Sequence, residues 1–259
     1  MSNEPTRSSV PGSGVLITGG SSGLGRATAL LLAEAGRPVA VWGTSETRVH
    51  EVAAQCRSLG VAAVGQVVDV RDPASARDAA RASRTAIGPI GGVVCSAARL
   101  AVTPIGHLDF AQWQDTLDIN LTGTAATLEA TLPLLREVGR GSSFVAVAST
   151  EAFRGSSYLA AYTASKHGVV GLVRAASRAL ALEGIRVNAV CAGAMDTPMM
   201  SRALAEAGGE PLRQQMIAGI PLGYIADPRE VGYVIRFLLS PEASYVTGAA
   251  VPVDGGMLA

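Results

Sequence analysis

The chain has 259 residues, 48% of them hydrophobic and 16% charged, which is enough apolar surface for a large core and too much for a disordered chain. Lys+Arg and Asp+Glu each total 21 and the formal net charge is +0, so no basic excess points to nucleic acid or an anionic membrane surface. Aromatic residues make up only 4%, so Ala, Val and Leu must fill the core.

A neutral balance also lowers the barrier to self-association. Residues 1–13 are rich in Ser, Pro and Gly, lack the apolar stretch of a signal peptide, and read as a flexible tail. No apolar run is long enough to span a bilayer. Cys56, Cys95 and Cys191 form no CxxC pair and read as buried thiols of a reducing compartment. The expected location is the cytoplasm, with no nucleic-acid or membrane partner.

In chain order, residues 14–18 (GVLIT) predict a buried strand, and residues 24–35 a helix ended by Gly36. Residues 38–42 predict a second strand, 46–59 a second helix ended by Gly60, and 62–68 a third strand. Asp72-Pro73 opens the next helix with a capping Asp and a Pro in the first turn. Residues 92–95 predict strand four, and 109–136 one long helix bent near Pro133. Strand 143–148, helix 157–182 and strand 185–191 follow, then helix 228–239 capped by Asp227, and strand 249–253. Such alternation predicts an α/β domain, a doubly wound parallel sheet with helices on both faces. No linker or repeat divides the chain, so residues 14–259 form one catalytic domain, with 192–224 as a substrate loop or lid holding one helix.

Thr18 to Gly25 reads TGGSSGLG and falls where strand one becomes helix one. A dinucleotide site needs glycines there for a tight turn, close backbone approach to the pyrophosphate and close helix packing; the helix N-terminus supplies free N–H groups for the phosphates. Tyr162-Thr163-Ala164-Ser165-Lys166 places a phenol and an ammonium four residues apart on one helix face. An ammonium beside a phenol favours the phenolate and makes the tyrosine a usable acid and base. Ser149 ends strand five at the sheet edge where open α/β sheets bind ligands, and Asn120 sits in DINLTG inside a helix that Asn does not favour.

With TGxxxGxG (Thr18, Gly19, Gly23, Gly25) and YxxxK in hand, the chain resembles the short-chain dehydrogenase/reductase (SDR) family from about Gly14 to Gly256. The resemblance implies a Rossmann-like sheet of seven strands in the order 3-2-1-4-5-6-7 and an NAD(P)-dependent oxidoreductase that interconverts a secondary alcohol and a ketone. It implies a catalytic set of Asn120, Ser149, Tyr162 and Lys166, with no metal. Tyr162 exchanges the proton with the substrate oxygen and Ser149 holds that oxygen. Lys166 lowers the Tyr162 pKa and binds the nicotinamide ribose, and Asn120 positions a water beside Lys166. Cofactor contacts are implied for Gly19, Ser21, Ser22, Gly23, Leu24 and Gly25 in the turn, and for Asp69, Val70, Ser96, Ala97, Met195 and Thr197 beyond it. Asn188 is implied before the substrate loop, and the closing strand often lies at a tetramer interface, so a homotetramer or homodimer is expected.

Two stretches depart from the family. Cys95-Ser96-Ala97-Ala98 stands where Asn-Asn-Ala-Gly is usual, and Ala192-Gly193 where Pro-Gly is usual. At the end of strand two, Gly43 stands where an acidic residue would bind the ribose hydroxyls and repel a 2′-phosphate. Thr44, Ser45 and Arg48 then favour NADP over NAD. Loops 96–104, 151–159 and 194–216 carry Phe153, Leu159, Met195, Met199 and Met200, which suit a moderately apolar substrate, while Arg99 and Arg154 are expected at the surface. The alternatives are a 3-oxoacyl thioester reductase and a non-catalytic dinucleotide-sensing protein.

Overall fold

The computed structural model describes residues 12–259; positions 1–11 of the expected tail lie outside the described residues. Ser13, the tail's last residue, is buried and fixed: the Arg37 guanidinium donates to its carbonyl at 3.1 Å and its hydroxyl at 3.2 Å. Burial holds that guanidinium down to about 10.

The elements run β1 (Gly14–Thr18), α1 (Gly23–Glu34), β2 (Val39–Gly43), α2 (Glu46–Ser58), β3 (Ala63–Val67), α3 (Pro73–Ile87) and β4 (Ile90–Cys95). They continue α4 (Phe110–Leu117), α5 (Gly123–Val138), β5 (Ser143–Ser149), α6 (Ala160–Leu180) and β6 (Arg186–Ala192). The chain closes with α7 (Pro198–Ala207), α8 (Gly209–Ala218), α9 (Pro228–Leu238) and β7 (Ala250–Val253). The seven strands form one parallel sheet in the order β3-β2-β1-β4-β5-β6-β7, the order the resemblance implies.

Central strands such as β1, β2 and β6 are buried throughout, which is why they read as unbroken apolar runs. Their side chains alternate between two cores. Leu16, Trp42, Val93 and Phe144 pack with α3, α5 and α6; Val15, Ile17, Val41 and Val145 pack with α1, α2 and α9. Edge strand β7 tolerates Pro252 because only one of its sides pairs. Capping follows the sequence: Asp72 accepts from the N–H groups of Ala74 and Ser75, and Asp227 forms a capping box with Glu230.

Two expectations need correction. The helix predicted as continuous over 109–136 is interrupted by a π turn at Asp118–Thr122, and Pro133 lies inside α5. The extra residue of the π turn swings Asn120 onto the backbone of Arg99, whose N–H donates to Asn120 Oδ1 at 2.7 Å and whose carbonyl accepts from Nδ2 at 2.9 Å. The lid also carries two helices, α7 and α8, separated by Gly208 at φ +143°. Among the described residues, no helix is long and apolar enough to cross a membrane.

Phe144, 1% exposed near the start of β5, anchors one core. Phe144→Ala is expected to lower the unfolding free energy by about 3–5 kcal/mol in urea melts. A loss under about 1 kcal/mol would show that this core does not organise the sheet.

Candidate active site

Every strand from β1 to β6 ends on the same side of the sheet, and the loops leaving those ends enclose a cleft of about 480 Å³. Ligands of open α/β sheets bind there, beside the point where the strand order reverses between β1 and β4.

One wall is the turn between β1 and α1. Gly19, Ser21, Ser22, Gly23 and Leu24 line the cleft. Gly19 has φ +63°, and a Cβ on it would lie 2.7 Å from the Ala97 nitrogen. A Cβ on Gly25, just behind, would lie 2.3 Å from the Gly19 carbonyl oxygen. Neither position accepts a side chain, so the backbone itself forms the surface that a phosphate would meet. Ser22 precedes α1 without capping it through its side chain, leaving the helix N-terminus available to an anion. This cradle fits a dinucleotide.

The altered Cys95–Ala98 stretch keeps its place through its backbone. The Ser96 N–H donates to the Thr18 carbonyl at 3.2 Å, and the Ala97 N–H donates to Thr18 Oγ1 at 3.1 Å. Ser96, Ala97 and Ala98 all line the cleft, and Cys95 is buried beneath. Gly193 keeps the tight start of the lid, since a Cβ there would lie 2.8 Å from Asp254 Cα.

Next to the glycine turn, with Gly43 packed against Ser21, Gly43, Thr44 and Arg48 line the cleft beside Asp69 and Val70. Ser45 is not in the lining and serves as the N-cap residue of α2. The Asp69 carboxylate is held below its ordinary range by hydrogen bonds from Arg71. Arg71 also reaches Asp115 at 2.7 Å, and Arg99 meets the other oxygen of Asp115 at 2.5 Å. Asp69, Arg71, Asp115 and Arg99 thus form a chain of charges along the cleft's rim, which their separation in sequence hid.

The expected tetrad is brought together. Ser149, Tyr162 and Lys166 line the cleft, each less than a tenth exposed, and Asn120 lies buried behind them. The Ser149 side chain is near enough to the Tyr162 hydroxyl to favour its ionised form. Lys166 Nζ donates to the Val147 carbonyl at 2.8 Å and stands 5.4 Å from the centre of the Tyr162 ring. Both N–H groups of the Asn120 amide are used by the protein: one donates to the Arg99 carbonyl and the other to Ser165 Oγ at 3.0 Å. A water shared with Lys166 would therefore meet the Asn120 carbonyl, which also accepts from Thr124 Oγ1 at 2.7 Å.

Burial dominates the electrostatics. It pushes the Tyr162 phenol up to about 12, the Ser149 hydrogen bond pulls it back, and the Glu151 charge pushes it up further. Burial also lowers Lys166 to about 8. The expected lowering of Tyr162 by Lys166 is thus not the governing effect in the protein alone. The ammonium stands over the Tyr162 ring, and burial moves it toward its neutral form.

Met195 and Thr197 from the lid close the cleft, with Thr197 Cγ2 against the position a Cβ on Gly23 would take, 3.4 Å away. Met199 and Arg202 on α7 also line it, whereas Phe153 is half-exposed outside. A second, more open depression of about 590 Å³ adjoins the outer side of α7 and contains none of the tetrad. Asn188 belongs to neither; its buried amide bonds the Val246 carbonyl at 2.9 Å and the Ala249 N–H at 3.1 Å, fastening β6 to the approach to β7. Trp42, Ile119, Val147 and Arg202 are lining residues that motif spacing did not mark. His50, His107 and His167 are exposed.

The family described as enoyl-(acyl carrier protein) reductase matches residues 19–258. A cis-4-hydroxycyclohexanecarboxylate dehydrogenase of Sinomonas cyclohexanicum is 36% identical over 245 residues, spanning 94% of this chain and 96% of its own. A levodione reductase of Leifsonia aquatica is 35% identical, spanning 95% of this chain and 94% of its own. The crystal structure of a variant of actinorhodin polyketide ketoreductase with NADPH superposes with a TM-score of 0.90 at 32% identity, covering 95% of this chain and 97% of that one. With the sheet order, the glycine turn and the YxxxK helix, these place the chain in the short-chain dehydrogenase/reductase family: it is an NAD(P)-dependent oxidoreductase of alcohols and ketones.

Proposed function

We propose that the enzyme is an NADP-preferring ketoreductase/alcohol dehydrogenase for a moderately apolar secondary alcohol or its ketone, with Tyr162 as the proton donor and acceptor. The observation that carries this reading is that the Tyr162 and Ser149 side chains, both buried, line one cleft together with the glycine cradle. A bound nicotinamide dinucleotide supplies or accepts the hydride. The chain's own residues do the rest. Ser149 and Tyr162 present two hydroxyls to one substrate oxygen, a pairing that suits a carbonyl or alcohol. With its phenol pushed up to about 12, Tyr162 carries its proton at neutral pH and is ready to donate it as a carbonyl is reduced. Lys166, buried and anchored on Val147, is placed for the ribose and for relaying the proton onward.

The preference for NADP is supported by Gly43 at the end of β2, which brings no negative charge, and by Thr44 and Arg48 in the lining. Met195 and Met199 give the substrate end its apolar wall. A 3-oxoacyl thioester reductase is the second reading, supported by the likeness to the actinorhodin ketoreductase and by exposed Val102, Ile105 and Tyr158 on loops flanking the start of α6. Three buried free thiols fit a reducing compartment and support the cytoplasm. Half-exposed Tyr233 and Phe237 on α9 and fully exposed Tyr245 near β7 support a homo-oligomer, either dimer or tetramer.

Tyr162→Phe is expected to cut ketone reduction by at least about a hundredfold. Fluorescence titration of NADPH should give nearly the wild-type Kd, because the missing hydroxyl serves the substrate oxygen. Full activity in this variant would remove Tyr162 from the acid–base role. A panel of cyclic ketones and acyl thioesters, run on the wild-type enzyme, separates the two substrate readings.

Arg48→Ala is expected to weaken NADPH about tenfold and to leave NADH within about twofold, since one charge-assisted hydrogen bond is worth about 1.5–3 kcal/mol. An equal effect on both dinucleotides would overturn the NADP preference.

A further inference from the structure

Glu151 lies two residues beyond Ser149, in the 3₁₀ turn Thr150–Ala152, and its side chain is 9% exposed. It is the one acidic side chain among the buried described residues. An ionised carboxylate withdrawn from water is costly unless paired and hydrogen-bonded, and this one is both. Arg154 Nε donates to Oε1 at 3.1 Å, and Thr163 Oγ1 donates to Oε2 at 3.3 Å. Thr163 is the residue after Tyr162 on α6. The Glu151 backbone N–H donates to Ser149 Oγ at 3.2 Å. That bond occupies a lone pair of the hydroxyl and leaves its proton free for Tyr162 or a substrate oxygen. Glu151 therefore bonds Ser149 directly and the neighbour of Tyr162 on α6, without lining the cleft.

We propose that Glu151 is a positioning residue for the acid–base step: its N–H orients the Ser149 hydroxyl, its carboxylate holds the first turn of α6, and the Glu151–Arg154 pair sets the field at the Tyr162 oxygen. This rests on Tyr162 being the acid–base group. The charge acts in a definite direction, because a carboxylate beside a phenol opposes its ionisation. Arg154 is 43% exposed on its side chain, so it offsets that charge only in part. The other titratable groups nearby are Lys166 on the same helix and the buried thiols Cys95 and Cys191, which lie by Lys166. Arg99 and Asp115 neutralise each other beyond Asn120, and Arg202 lines the cleft from α7. Glu151 opposes ionisation of the phenol in the same direction as burial, which is the larger cause.

The test is the pH profile of kcat/KM for ketone reduction, followed past the step near 8 that Lys166 gives to the later alkaline limb, where activity falls as Tyr162 loses its proton. Glu151→Gln keeps an acceptor for Thr163 and removes the charge. It is expected to move that limb to lower pH by about half a unit or more. Arg154→Gln leaves the carboxylate uncompensated and is expected to move the limb to higher pH, while Glu151→Asp, which keeps the charge, holds it near the wild-type position. A purely structural role would lower kcat or Tm in the variants without opposite shifts of the profile. Shifts of the same sign in Glu151→Gln and Arg154→Gln, or an unshifted Glu151→Gln profile, would overturn the proposal. Tyr162→Phe run alongside separates the two levels of argument: if it is inactive while Glu151→Gln is unshifted, only the role of Glu151 falls. If Tyr162→Phe turns over, the assignment of Tyr162 falls instead.

Discussion

The structure depends on one close approach: the backbone at Thr18 and Gly19 lies directly against the backbone at Ser96 and Ala97. Two hydrogen bonds from the second strand of chain to Thr18 hold them together, and Gly19 has no room for a Cβ. This contact closes the gap between β1 and β4, the point where the sheet's winding reverses, and so creates the crevice that a dinucleotide can enter. Because the tie runs through backbone groups and the Thr18 hydroxyl, it survives the loss of the family's asparagine at Cys95. The buried thiol fills space that the missing amide would have bridged.

A second constraint is that the catalytic side chains stand on elements that cannot shift independently. Ser149 ends a strand paired with β6 along its whole length. Tyr162 and Lys166 share a helix whose buried face packs on the sheet. Asn120 is locked to Arg99, and Arg99 is locked in turn to Asp115 at the cofactor rim. The π turn is the device that makes this lock possible, since a regular α-helix over Asp118–Thr122 would carry Asn120 onto a different face.

Most of the frame was legible in the sequence because each signal is local. Strand–helix alternation, the capping Asp72 and Asp227, the glycine turn and the YxxxK spacing depend on neighbours within a few residues, and each holds in the structure. What escaped depends on residues far apart in the chain. The Asp69–Arg71–Asp115–Arg99 chain joins three loops, and no periodicity marks it. The π turn looks like ordinary helix in sequence, because its cause lies 21 residues away at Arg99. The second lid helix was masked by Gly208 and Gly209, which read as loop residues, but here Gly208 separates two short helices and Gly209 begins the second. Asn188 stands in β6 ahead of the lid, as expected, and what sequence did not show is that its amide fastens β6 to the approach to β7.

Burial acts with opposite sign on the two titrating groups of the pair, and this explains why so much secondary apparatus surrounds them. Desolvation raises the phenol to about 12 and lowers the ammonium to about 8, so each group is pressed toward its uncharged form. In such a site, moving a proton between Tyr162 and a substrate oxygen creates charge with little water to absorb it. The fixed groups nearby must absorb it instead: the Ser149 hydroxyl facing the phenol, the Val147 carbonyl on Lys166, and the Glu151–Arg154 pair behind them. Preorganised groups of this kind pay no reorganisation penalty at the moment of reaction. A dry cleft that holds its acid protonated at rest is therefore well set for delivering a proton to a carbonyl, and the oxidative direction needs added positive charge in the cleft to draw the same proton away.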